Sequence, residues 1–180
     1  MRFHLLPTLA LLLLLTQCKK DAGPTKPEDQ LPPATQTGQG TFGCLLNGQP
    51  WTPSGYTGQP NFVTTYDGGY LGGALQIKCT RYTSGSTLQN FTIGVAHVKQ
   101  TGTYTFGATG LNEVIHFDTS LDARCSTQRY LSPGAYQAGQ LTITRFDLAN
   151  HIIAGTFSFA LHQPGCDTVK VTQGRFDYTL

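Results

Sequence analysis

Charge is scarce in this chain: Asp, Glu, Lys and Arg together make up 12% of 180 residues, about half the usual share. Solubility must then come from Thr, Ser, Gln and Asn, a composition that suits an extracytoplasmic β protein. There is no basic stripe and no dense Lys/Arg cluster, so nothing could neutralise a row of phosphates, and nucleic acid is excluded as a partner. The formal net charge of +2 counts Arg2, Lys19, Lys20 and Lys26, which leaves the rest of the chain nearly neutral. No C-x-x-C or H-x-x-x-H pair occurs, which removes the usual zinc spacings. A G-x-S-x-G elbow is missing too, and His97, His116, His151 and His162 are scattered. No catalytic residue, metal or cofactor is therefore assigned.

Long apolar runs are also missing, with one instructive exception. Residues 5–15 are almost wholly apolar, but about eleven helical residues at about 1.5 Å each reach roughly 16 Å, half of a bilayer core. With Arg2 before it and Leu15-Thr16-Gln17-Cys18 after it, this run resembles a bacterial lipoprotein signal. The resemblance implies that residues 1–17 are a signal peptide and that Cys18 is acylated and becomes the first mature residue. Two or three acyl chains at about 0.8 kcal/mol per methylene would hold the protein firmly to a membrane. The expected location is the bacterial outer membrane, on its periplasmic or its surface face.

The stretch that follows, KKDAGPTKPEDQLPPATQTGQG, carries Pro24, Pro27, Pro32 and Pro33 and almost no apolar residues. Residues 18–40 therefore read as a lipidated cysteine on a Pro-rich disordered tether. Its reach would be roughly 70 Å at about 3.1 Å per residue.

Residues 41–180 read as one domain, long enough for a single core. Its dominant signal is period-two alternation broken by glycine and proline. Phe91, Ile93 and Val95 alternate with Thr92, Gly94 and Ala96, and Phe157, Phe159 and Leu161 alternate with Ser158, Ala160 and His162. Further strands are expected at 41–46, 61–66, 69–82, 102–106, 113–117, 140–146, 168–172 and 175–180. Turns are announced by Asn47-Gly48, Asp67-Gly68-Gly69, Ser84-Gly85-Ser86, Ala149-Asn150 and Pro164-Gly165. The fold class is all-β, a single antiparallel β-sandwich or partly closed β-barrel of about nine or ten strands.

Removing Cys18 leaves Cys44, Cys79, Cys125 and Cys166, an even set for an oxidising compartment. Of the three connectivities, Cys44 with Cys79 and Cys125 with Cys166 is favoured. Aromatics such as Trp51, Tyr56, Tyr66, Tyr70, Tyr82, Tyr130 and Tyr136 lie in or beside turn-rich stretches. Trp51 and Tyr56 are the candidate ligand contact, for a glycan or a protein at the cell envelope.

GTFGCLLNGQPWTPSG at residues 40–55, with GTFSF at 155–159 and GRFD at 174–177, is similar to a family of small lipoproteins of Bacteroidetes-type bacteria. That family's β domain has no assigned function. The resemblance implies an all-β lipoprotein domain with no catalytic residues to carry over. Gly155, Phe157, Phe159 and Gly174 read as architecture, and Arg175 and Asp177 as a surface pair.

The expected function is thus a membrane-anchored, non-enzymatic binding or scaffolding domain. Two alternatives stand beside it. One is a glycan or peptide hydrolase with Glu113, Asp118 and Asp122 as its first carboxylates, which requires two of them in one cleft. The other is a calycin-like carrier of an apolar ligand, which requires a closed barrel.

Overall fold

The computed structural model describes residues 26–55, 58–83, 87–107, 111–129 and 133–180. Alternation along the chain becomes eleven strands among these residues: β1 (Thr41–Leu46), β2 (Gln49–Trp51), β3 (Phe62–Asp67), β4 (Ala74–Tyr82), β5 (Leu88–Val95), β6 (Gly102–Phe106), β7 (Glu113–Asp118), β8 (Thr127–Gln128), β9 (Tyr136–Asp147), β10 (Ile152–His162) and β11 (Val169–Thr179). They form two antiparallel sheets, a six-stranded one in the order β2-β1-β11-β10-β9-β6 and a five-stranded one in the order β3-β4-β5-β7-β8. The architecture is a sandwich and not a closed barrel, so the closed wall that an apolar carrier needs is not formed.

Local chemistry accounts for the turns and the irregularities. Asn47 and Gly48 both take positive φ, 48° and 82°, which is what a two-residue hairpin turn with the right twist demands. The two strands expected at 168–172 and 175–180 are one strand. Its pairing with β10 slips between Phe157 and Phe159, and Gln173 absorbs the extra residue at a φ of 54°. Gly174 is fixed by space, because a Cβ there would strike the Phe157 ring.

Apolar residues from both inner faces fill the space between the sheets. Phe42, Trp51 and Phe157 meet Ile77, Phe91 and Ile93. Phe42 stacks on Phe157 at 5.0 Å, and Trp51 meets Phe91 edge-on at 4.9 Å. The Cys125–Cys166 disulfide ties the loop after β7 to the turn before β11, with Cα atoms 5.6 Å apart, and so links the β7–β8 end of the five-stranded sheet to the turn between two central strands of the six-stranded one. The other expected bond is absent: Cys44 and Cys79 are buried free thiols. They point inward from different sheets. Stacked sheets lie about 10 Å apart, while a disulfide brings Cα atoms to about 4.4–6.8 Å.

The largest departure from expectation is at the tether. The described part of it, residues 26–40, is docked on the sandwich. A 3-10 turn over Pro27–Gln30 delivers Leu31 to a buried site. Asp177, expected on the surface, is fully buried and receives Thr35 Oγ1 at 2.7 Å and the amides of Thr37, Gly38 and Gln39 at 2.9, 2.7 and 3.1 Å. Arg145 Nη1 and Arg175 Nη1 donate to the carbonyls of Gln36 and Pro32. Composition suggested a solvated linker, but the partners come from a strand about 140 residues later, where no local rule could look. Cys18 lies outside the described residues.

Candidate binding face

The inner phase of each strand is used up by the core, so the side chains that solvent can reach lie on the outer phase. On the six-stranded sheet, register builds rows across β11, β10, β9 and β6. Arg175, Thr156, Thr142 and Thr103 stand side by side, with the hydroxyls of Thr103 and Thr142 3.1 Å apart. The next row holds Ser158, Gln140 and Thr105, and the one after it Lys170, Ala160 and Ala138. At the end His162 pairs with Tyr136. Their rings stack at 5.2 Å, and Tyr136 is 46% exposed.

The first two rows floor a groove of about 400 Å³, whose lining includes Gln140, Thr142, Thr156, Ser158 and Arg175, while Tyr136 and His162 lie beyond it. Ala34 of the docked segment is the one lining residue from outside the sheet. An adjoining groove of about 330 Å³ shares Ser158 and continues over Ala138, Ala160 and Lys170. No carboxylate lines either groove, and each has one cation. Arg175 is held at the rim by Nε to the Gln173 carbonyl at 3.2 Å and Nη1 to the Pro32 carbonyl at 3.4 Å.

The residues singled out from sequence are elsewhere. Trp51 is completely buried because β1 and β2 turn it inward, and its indole N–H donates to Gln89 Oε1 at 2.9 Å. It is a core residue and not a ligand contact. Tyr56 lies outside the described residues. Tyr66 donates to the Val98 carbonyl at 2.8 Å and packs on Phe146. Tyr130 also lies outside the described residues, and among those described Tyr136 is the aromatic of the expected set on the face just described.

Nor do the suspected carboxylates converge. Glu113 and Asp118 point to opposite sides of β7, with Glu113 bridged to Arg129 at 3.2 Å. Asp122 caps its own turn by accepting from the amides of Arg124 and Cys125. Asp118 is buried and ends a chain in which Gln89 receives Trp51 and Arg81 and donates to Asp118 at 2.7 Å. Burial alone would raise the Asp118 carboxyl, but hydrogen bonds from Ser120 and Gln89 outweigh it and hold the group below its ordinary value.

Beside that chain lies His116, stacked near Phe91 at 4.8 Å, with neither ring nitrogen bonded. Burial pushes it down to about 4, against a smaller pull upward from Asp118. It is neutral at pH 7 and shielded from any substrate. Among the described residues no three His, Cys, Asp or Glu side chains come together to hold a metal ion.

This outer face was present in the sequence as the polar phase of the alternation, Thr156, Ser158, Ala160 and His162, which marks a solvent side and nothing more. No protein-family model, curated protein or solved structure matches this chain.

Proposed function

We propose that this protein is a lipid-anchored, non-enzymatic binding module of the bacterial cell envelope, attached through Cys18. Its contact surface is the outer face of the six-stranded sheet. The observation that carries the reading is the contrast between that face and the interior. The suspected carboxylates are spent on an ion pair, a turn cap and a buried hydrogen-bond chain, whereas the outer face offers a long groove of short hydroxyl and amide side chains with no carboxylate in its lining. Such a surface can bind through many exposed hydrogen-bonding groups and has no apparatus for proton transfer.

The docked N-terminal segment adds a constraint on distance. If Cys18 carries the lipid, only seven residues lie between it and Lys26, and the eight steps of chain reach at most about 29 Å at about 3.6 Å each. The module would work close to its membrane and not at the end of a long leash.

Two variants test the reading. Cys18→Ser moves the protein from the membrane fraction to the soluble fraction with an unchanged melting temperature. A Thr156→Glu/Ser158→Glu double variant, which alters only outward positions, loses retention on immobilised cell-envelope glycan and protein fractions that hold the wild type. Membrane retention of the serine variant contradicts the anchor, and undiminished envelope retention of the double variant contradicts the face.

A further inference from the structure

We infer that the occupant of the outer face is an anionic polysaccharide chain, lying along β10 from the Arg175 row to the stacked Tyr136–His162 pair. This rests on the binding reading above and names its ligand class.

Three features converge on that chemistry. Length comes first: from Thr156 to His162 is six residues, about 20 Å at about 3.4 Å each, room for a short run of sugar units. Hydrogen bonding comes second. A sugar offers hydroxyls that donate and accept, and the face answers with Thr103, Thr105, Thr142, Thr156 and Ser158, whose hydroxyls do both, and with the amide of Gln140. At one end the exposed Tyr136 ring, backed by His162, provides a flat apolar surface beside a polar tip.

Charge comes third and sets the class. Lys170 and Arg175 are the ionised side chains lining the two grooves. An acidic chain finds a cation beside each groove and no repelling carboxylate in either lining. Arg175 is already oriented by its bonds to Gln173 and Pro32, so little of its rotamer freedom is lost on binding.

The same features argue against a protein partner. Protein interfaces concentrate their energy in buried aromatic and arginine anchors, and the middle of this face is Thr, Ser, Gln and Ala.

The test uses the full-length mature lipoprotein in non-ionic detergent, titrated calorimetrically with polygalacturonate and with dextran of equal length. Polygalacturonate is expected to bind at least about tenfold more tightly, and less tightly as salt screens the two cations. Lys170→Gln is expected to weaken it about threefold, an ordinary value for an exposed charge pair, and Tyr136→Ala to weaken it further. Lys78→Gln, at the groove on the other sheet's outer face, is expected to leave it unchanged.

Equal binding of dextran overturns the anionic class and leaves the binding face standing. Binding of neither polymer, with envelope retention still lost in the Thr156→Glu/Ser158→Glu variant, also overturns the inference alone. Binding of neither polymer with retention intact in that variant overturns both.

Discussion

Asp177 and His116 are both ionisable, both all but inaccessible to water, and solved in opposite ways. Asp177 keeps its charge. Burial works against the carboxylate, but the Thr35 hydroxyl and the amides of Thr37, Gly38 and Gln39 surround it and hold it below its ordinary value. His116 has given its charge up, because both ring nitrogens lack partners and burial dominates. The first group fastens a segment that sequence composition assigns to solvent; the second fills space beside Phe91. Neither is placed to act on a ligand. The lesson is that Asp177 and His116, though ionisable, are devices of assembly, and that the solvent-facing phase of the six-stranded sheet is left with small polar side chains.

The sharpest way to break the comparison is Asp177→Ala. It strands three backbone N–H groups and a hydroxyl, so an expected loss of about 3 kcal/mol in urea unfolding is accompanied by fast hydrogen exchange across residues 31–40. A variant that unfolds at the wild-type denaturant concentration contradicts the latch.

Acid separates the two groups. His116 has a folded value of about 4 against about 6.5 unfolded, so the unfolded state binds more protons between those limits. Stability is therefore full above about pH 6.5 and falls as pH drops toward 4, by up to about 3 kcal/mol. Asp177 is depressed, so its contribution is present above the ordinary carboxyl value and is lost only at lower pH still. His116→Phe is expected to abolish the upper window and leave the lower one; persistence of the pH 4–6.5 slope in that variant would assign it to another group.

A milder probe is Leu31→Ala. It removes the apolar contact of the docked segment without touching its hydrogen bonds and is expected to cost about 1–2 kcal/mol in the same unfolding measurement. The smallest effect is expected for Gln128→Met, within about 1 kcal/mol of wild type. The change loses one 3.2 Å bond to the Asp167 carbonyl but also removes an unpaired buried oxygen. A loss of several kcal/mol would mean that Gln128 Oε1 has a partner.

Much of the fold was legible because it rests on local rules. Period-two alternation located most of the strands, and 102–106 matched β6 residue for residue, but the short β2 and β8 went unseen and the strand expected at 69–82 begins only at Ala74. Asn47-Gly48 specified its hairpin, and the loop setting of Cys125 and Cys166 suited their bond. What sequence missed was long-range. Pro27, Pro32 and Pro33 read as a solvated linker because nothing nearby could bury them, while the groups that dock them sit on β9 and β11. Trp51 read as an exposed anchor because it follows a turn, yet Cys44 lies opposite it in the register and carries it into the core. Cys44 and Cys79 had the inward parity of a bonded pair, but parity fixes a direction and not the separation of two sheets. For the binding face only the outward phase of the strands was readable, since threonine and serine there are what any solvated strand uses.

Neutron reflectometry of the membrane-extracted protein on a supported bilayer tests the whole account most directly. Docking of residues 26–40 with acylation at Cys18 predicts a stable film whose protein layer begins within about 29 Å of the lipid surface, the reach of eight extended residues. A layer set off by roughly 70 Å, the reach of a free tether over residues 18–40 at about 3.1 Å per residue, or no retained film at all, would contradict it.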